Sequence, residues 1–166
     1  MINDAIHKYY EDVMESVQHI HYVDPNLFYD EYCEYIKKND ARKTACLFLL
    51  NLFKHLRTTA ATTTTTTVVD VVSSEHVLNM ICSFQEIILT YIHAPDRVNE
   101  VNELQDRLFI IVTTIHSEIR DESRWRDDIL PKIEMLATYK AKDFLSLSSR
   151  AIFKSMDIVD FLKKQK

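Results

Sequence analysis

Glycine is absent from this chain of 166 residues, although ordinary usage of about 7% would give roughly ten. Glycine supplies positive backbone φ angles and lets a backbone approach a ligand closely. Phosphate-binding loops, dinucleotide-binding fingerprints and nucleophile elbows depend on it, so its absence argues against those classes of enzyme. Tight β-hairpins also lose their preferred residue, which favours helices joined by Asn, Asp and Pro turns.

Long apolar runs are missing as well. A membrane-spanning helix needs about 20 apolar residues, and the start at Met1 lacks a basic segment followed by an apolar one. We therefore expect a cytoplasmic protein, with the nucleus as a second compartment and no membrane partner. The three cysteines, Cys33, Cys46 and Cys82, are widely spaced in apolar helical patterns, which predicts buried free thiols, not a disulfide or metal framework.

The composition is that of a globular protein, with 46% hydrophobic and 27% charged residues, and the length predicts one domain over residues 1–166. The net charge is −5 and is unevenly distributed. Residues 58–128 carry five basic and twelve acidic side chains, whereas 129–166 carry eight basic and four acidic ones. An acidic chain binds nucleic acid poorly, so direct RNA contact is expected to be weak and confined to the C-terminal third.

The most apolar stretch is 40–57, which reads DARKTACLFLLNLFKHLR. At 100° per residue its polar stripe consists only of Thr44, Asn51 and His55, so most of this helix is predicted to be buried. Residues 3–19 predict a preceding helix, and Asp24-Pro25 predicts the start of a second one. That second helix is expected to place Phe28, Tyr32, Tyr35 and Ile36 in the core and to end at Asn39-Asp40.

Residues 58–72, rich in Thr and Val, predict a low-complexity loop. Beyond it, a helix is expected from Ser73 or Ser74 to the Pro95 turn, then one of about 22 residues with an apolar stripe from Val101 to Ile119. A sixth helix with Trp125 at its inner edge should kink at Pro131. A seventh carries the apolar stripe Leu147, Ile152, Phe153, Met156, Val159 and Leu162.

Candidate catalytic and metal-binding residues are few. His7, His19 and His21 lack the spacing typical of zinc ligands, because residues two apart on a helix point in nearly opposite directions. The pairs Glu31–Glu34 and Glu118–Glu122 share helical faces, which is common on surfaces. No nucleophile, base and orienting group can be assembled from the sequence, so we predict a protein that is not an enzyme and has no cofactor.

The closing helix carries a motif. Ser148-Ser149-Arg150 is followed by an aromatic residue, Phe153, and then by Asp157 and Asp160. This string resembles the last helix of the middle domain of the translation initiation factor 4G scaffold. The upstream order of features, over about residues 41–162, is similar to the small adaptor of the histone stem-loop binding protein in that family. Leu162 departs from the arginine that the family often has there, and the chain is shorter than the usual domain.

The resemblance implies an all-α fold in which antiparallel helix pairs, about seven helices here, stack as a short HEAT-like solenoid. It also implies a scaffold or adaptor that docks an initiation factor, a DEAD-box RNA helicase or an RNA-binding protein. A homodimer of this chain is compatible with that role. The expected partner-binding residues are Arg120, Arg124, Trp125, Arg126, Lys140, Lys142, Arg150 and Lys154.

Several alternatives stay open at this point. Trp125 fits a core position as well as an exposed anchor, and Arg150 fits an ion pair with the preceding helix. Asp157 and Asp160 fit a solvated face. For the whole chain, the alternative is a viral Bcl-2-like helical bundle that inhibits host apoptosis or innate immune signalling. Its usual Asn-Trp-Gly-Arg element is absent here, because the chain has no glycine.

Overall fold

A computed structural model describes residues 2–62 and 73–165 of the chain. Within these ranges it contains six α-helices and no β-strand, which confirms the predicted all-α class. The helices are α1 (Ile2–Gln18), α2 (Tyr29–Thr62), α3 (Ser74–Tyr91), α4 (Val98–Ile119), α5 (Leu130–Thr138) and α6 (Ser149–Lys164). A π-helical turn, Trp125–Ile129, precedes α5, and a short 3-10 turn, Ala141–Asp143, lies between α5 and α6. None of the described helices is long and apolar enough to cross a membrane.

The predicted second and third helices are one continuous helix, α2, so the break expected at Asn39-Asp40 is wrong. Asn39 is buried within this helix and Asp40 is exposed. In the interior of a helix, asparagine or aspartate lowers the stability by only about 0.5–0.7 kcal/mol relative to alanine. Burial of the large apolar side chains that follow contributes roughly 1.5–3 kcal/mol each, which is enough to carry the helix through the two polar positions.

The low-complexity loop predicted for 58–72 begins later than expected, because α2 continues to Thr62. The Thr58 hydroxyl donates to the carbonyl of Lys54 at 2.9 Å, and the Thr59 hydroxyl donates to that of His55 at the same distance. Because both hydroxyls bond to carbonyls of the preceding turn, they are satisfied while the backbone stays helical. The remainder of the predicted loop, 63–72, lies outside the described residues.

The chain divides into two compact units, Met1–Met80 and Ile81–Lys166, and the boundary falls inside α3. In the first unit α1 packs against α2. Its most deeply buried side chains are Val17, Ile20, Leu49, Leu50, Phe53 and Val77. The predicted polar stripe of α2 is exposed at Thr44, Asn51 and His55. Phe48 departs from the expected burial, since it is 52% exposed and meets the ring of Tyr9 edge-on.

In the second unit, α6 packs against α4 and α5. The apolar stripe predicted for α4 is confirmed, since all its members are at most 1% exposed: Val101, Leu104, Leu108, Ile111, Val112, Ile115 and Ile119. The sixth helix predicted from Trp125 begins as the π-helical turn, in which the Leu130 N–H bonds to the Trp125 carbonyl. Pro131 then falls in the first turn of α5, where its missing N–H needs no helical partner.

The turn between α3 and α4 is tied to the segment that leads into α6. Ser146 donates its N–H to the Ile92 carbonyl at 3.0 Å and its hydroxyl to the Ala94 carbonyl at 2.6 Å, while the Arg97 N–H donates to the Ser146 hydroxyl at 2.9 Å. Asp96 adopts a positive φ of 56° in this turn. Aspartate is among the residues that tolerate this conformation best, so the turn closes without glycine. The start of α6 is thereby fixed on the rest of the unit.

Candidate functional site

Ser148 fixes the first turn of α6, the helix that carries the predicted motif. Its hydroxyl oxygen accepts a hydrogen bond from the Ala151 N–H at 3.1 Å, which caps the helix. The same oxygen lies 2.5 Å from Oδ1 of Asn102 on α4. The motif serine therefore sets both where the helix begins and where it sits on α4.

The face of α6 that packs inward consists largely of small side chains. Ala151 and Ser155 are each 1% exposed. The buried Gln105 amide on α4 donates to the Ala151 carbonyl at 3.4 Å and to the Ser155 hydroxyl. Because small residues four apart leave little bulk between two helices, they let α6 approach α4 closely enough for these bonds.

This packing leaves the middle of the predicted apolar stripe of α6 outside the core. Phe153 is 62% exposed and Met156 is 44% exposed, so the burial expected for both is wrong. The two ends of the stripe, Leu147 and Leu162, are buried, and Ile158, which lies outside the stripe, is buried as well. Successive residues are 100° apart around a helix, which places Phe153 and Met156 about 60° apart and nearly opposite Ala151 and Ser155.

The two predicted cations on α6 meet at one carboxylate of α4. Arg150 forms an ion pair with Asp106, and the Lys154 ammonium lies 3.8 Å from the other oxygen of the same group. Lys154 also lies 3.7 Å from Asp157 and 4.7 Å from the centre of the Phe109 ring. Arg150 therefore forms an intramolecular ion pair, as one alternative expected, but the expected location of its partner on the preceding helix is wrong, because Asp106 lies on α4.

The motif carboxylates lie on the exposed side of α6. Asp157 is 59% exposed and Asp160 is 64% exposed, and Asp160 lies 3.5 Å from the Lys163 ammonium. Both positions agree with the solvated-face interpretation. We define the α6 surface as Arg150, Phe153, Met156, Asp157 and Asp160. It presents two large apolar side chains within a rim that carries both signs of charge.

Trp125 is a core residue, since it is only 2% exposed. Its ring lies 5.5 Å from that of His116, which in turn lies 6.2 Å from the ring of Phe161 on α6. The structure therefore removes Trp125 from the predicted partner surface and assigns it to packing at the π-helical turn. The pKa of His116 lies below its usual value because burial, and then the nearby Arg120, disfavour the imidazolium.

The remaining predicted cations are dispersed over the second unit. Arg120 is exposed and lies 3.9 Å from Asp121, Arg126 is exposed on the π-helical turn, and Lys140 and Lys142 are exposed in the connector between α5 and α6. Arg124 is half-buried. Thus the structure brings Arg150 and Lys154 together at Asp106.

Arg124 lies in the electrostatic environment of Cys82. The Cys82 thiol is 3.8 Å from Asp128, which pairs with Lys132 at 2.7 Å. Burial raises the pKa of this thiol, and the hydrogen bond from Lys132 lowers the pKa of Asp128. A neutral buried thiol is a poor nucleophile, so Cys82 is not a candidate for nucleophilic chemistry.

The ranges 2–62 and 73–165 contain no group of three or more His, Cys, Asp and Glu side chains placed to hold a metal ion.

The exposure of Phe153 and Met156 is the feature that the sequence pattern missed. The sequence feature that could have predicted this exposure is the pair of small residues Ala151 and Ser155. They are four residues apart and therefore mark the side of α6 that can approach another helix closely.

No protein-family model, curated protein or solved structure matches this chain.

Proposed function

We propose that this chain is a non-enzymatic protein–protein adaptor in mRNA translation or RNA metabolism, and that it docks its partner on the α6 surface. The partner is an initiation factor, an RNA helicase or an RNA-binding protein. The family resemblance of the closing helix motivates the choice of pathway. The observation that carries the proposal is the exposure of Phe153 and Met156 on α6, opposite the buried residues Ala151 and Ser155.

Exposed aromatic side chains supply much of the binding energy when a partner covers them. Phe153 is the central anchor of the α6 surface, and Met156 beside it adapts to an irregular partner because its side chain is flexible. The ion pairs of Arg150 and Lys154 with Asp106 hold α6 on α4. The partner therefore meets a surface that is already ordered, and little entropy is lost on binding.

Charge sets the type of partner segment that fits. The α6 surface carries one cation, Arg150, which is paired with Asp106, and two exposed carboxylates, Asp157 and Asp160. It therefore offers both signs of charge around Phe153 and Met156. We expect a partner segment that presents one or two apolar side chains flanked by residues of both signs of charge.

The test is direct binding of purified partners to the immobilised full chain. Initiation factors, DEAD-box helicases and RNA-binding proteins of translation are assayed singly against wild type, Phe153→Asp and Phe48→Asp. Phe48 is the matched control, because it is an exposed phenylalanine on α2, in the first unit. We expect at least one partner to bind wild type and the control, and to bind Phe153→Asp about ten-fold or more weakly.

Equal binding to all three chains contradicts the proposed surface, and failure of every translation factor contradicts the proposed pathway. A death-motif peptide is included as a separate arm. Its binding in place of the translation factors would favour the Bcl-2-like alternative.

A further inference from the structure

Three consecutive large apolar side chains are exposed in the first unit, where the connector from α1 enters α2. Leu27 is 71% exposed, Phe28 is 54% exposed and Tyr29 is 69% exposed. This contradicts the core position expected for Phe28. Single exposed apolar residues are common on protein surfaces, but a contiguous group of this size is typical of an interaction site.

The connector that carries these side chains is held by Asp24. A carboxylate oxygen of Asp24 accepts the backbone N–H of Asn26 at 2.8 Å and its side-chain amide at 3.1 Å. The Asp24 carbonyl accepts the N–H groups of Leu27 at 3.2 Å and Phe28 at 3.0 Å. The aromatic pair therefore projects from a turn with fixed hydrogen bonds, so a partner does not have to order the backbone.

Carboxylates follow the apolar group directly. Asp30 and Glu31 are exposed in the first turn of α2, and Glu34 lies one turn further on, 2.7 Å from Lys37. Negative charge at the start of a helix interacts favourably with the helix dipole, which favours Asp30 and Glu31 at these positions. The apolar group is therefore bordered by carboxylates on the side of α2.

A cleft of about 460 Å³ opens beside this group. It is lined by His19, His21, Val23, Asp30, Glu31, Glu34, Tyr35, Lys38 and Arg42. Asp30, Glu34, Lys38 and Arg42 are spaced four residues apart and so share one face of α2. The acidic end of this row lies next to Tyr29, and the basic end lies about 12–18 Å further along the helix.

We propose that Leu27, Phe28, Tyr29, Asp30 and Glu31, the tip surface, dock a basic segment of a partner protein. The segment carries Arg or Lys side chains on either side of an apolar residue. Its apolar residue packs against Phe28 and Tyr29, and its cations pair with Asp30 and Glu31 and reach the acidic end of the cleft. Charge complementarity selects this occupant.

The same charges disfavour the other candidate occupants. An anionic membrane or an acidic peptide is repelled by Asp30 and Glu31, and two copies meeting tip to tip bring like carboxylates together. The tip surface belongs to a different unit from α6. The inference therefore goes beyond the proposed function and does not rest on it, because binding at the tip can be measured whatever α6 binds.

The experiment is fluorescence anisotropy with the full chain and a short labelled peptide in which arginine alternates with leucine and phenylalanine. Two further peptides replace the arginines with glutamate or the apolar residues with serine. We expect saturable binding of the first peptide, weakened about ten-fold by either replacement, and weaker binding at higher salt.

Two variants test the surface itself. Phe28→Ser with Tyr29→Ser removes the apolar part, and Asp30→Asn with Glu31→Gln removes the charges while keeping side-chain size. Each is expected to weaken binding of the arginine peptide about ten-fold. The matched controls, Phe48→Ser on α2 and Glu11→Gln on α1, are exposed residues of the same types and should bind as wild type. Circular dichroism of each variant establishes that helix content is unchanged.

The proposal is overturned if the tip variants bind the arginine peptide as wild type does, or if the glutamate peptide binds equally well. It is also overturned if vesicles containing phosphatidylglycerol bind the chain through Phe28 and Tyr29. Sedimentation that shows a dimer abolished by the tip variants would assign the surface to a second copy of this chain and would overturn it too.

Discussion

At the scale of single residues, His116 makes the stability of the second unit depend on pH. Its ring contacts Trp125 and Phe161, and burial together with Arg120 holds its pKa below the usual value of about 6.5. Glu118 and Asp121 act in the opposite direction but more weakly. The unfolded chain therefore binds a proton at His116 more readily than the folded chain does.

The sign of the pH dependence follows from that difference in proton binding. Well above pH 6.5 the imidazole is neutral in both states and contributes no pH dependence. As the pH falls below this value, the unfolded state gains the proton first, so the free energy of unfolding decreases. It decreases further until the pH passes the lower pKa of the folded state.

We predict that His116→Phe, which keeps a ring against Trp125 and Phe161, removes part of this decrease. The measurement is urea unfolding of wild type and variant at a series of pH values from 8 down to 5. The difference in stability between the two chains should shift in favour of the variant as the pH falls. Stability curves that run parallel over the whole range would contradict the prediction.

At the scale of the helices, the orientation of α6 is set by its smallest inward residues. Ser155 is 1% exposed against α4 and forms a hydrogen bond with Gln105, whereas Phe153 faces solvent. A residue larger than serine at position 155 has no space, and its introduction also removes the hydrogen bond of a buried amide. A smaller residue at position 153 leaves no cavity.

We predict that Ser155→Leu lowers the free energy of unfolding by at least about 2 kcal/mol, since overpacking costs 1–3 kcal/mol and the lost hydrogen bond about 1. Phe153→Ala should change it by less than about 1 kcal/mol, as exposed substitutions do. Both values come from urea unfolding monitored by circular dichroism. If Phe153 were the buried member of the stripe, its truncation would instead cost about 3–5 kcal/mol.

The helices show how far the sequence predicts this fold. The apolar stripe of α4 has one continuous buried side, so its periodicity predicted both its length and its burial. In α6 the periodicity of large apolar residues was right for Leu147 and Leu162 but wrong for Phe153 and Met156, because Ala151 and Ser155 pack closely without being large or strongly apolar. At Asn39 and Asp40 the cap preference predicted a helix end, but packing of the following apolar residues overrode that local preference.

The candidate site was predictable to a smaller extent. The motif indicated α6, and the ion pair of Arg150 was among the expectations. Trp125 could not be assigned from the sequence, because a tryptophan beside two arginines fits a buried ring as well as an exposed anchor. The tip surface was missed because Phe28 continues an apolar helical pattern, whereas the hydrogen bonds of Asp24 hold the turn so that this side chain lies in solvent.

At the scale of the whole molecule, the two proposed surfaces share no residues. The α6 surface lies in one compact unit and carries both signs of charge, whereas the tip surface lies in the other unit and carries carboxylates. We propose that each surface takes its own partner, so that one chain binds two.

We predict that the arginine peptide and the α6 partner bind at the same time. In calorimetric titrations, the Kd of the peptide should change less than about two-fold when the chain is saturated with that partner, because neither ligand occupies residues of the other site. Phe153→Asp should weaken binding of the partner without altering binding of the peptide, and Phe28→Ser with Tyr29→Ser should weaken binding of the peptide without altering binding of the partner. If the partner instead displaces the peptide, one surface serves both ligands, and the chain holds one partner at a time.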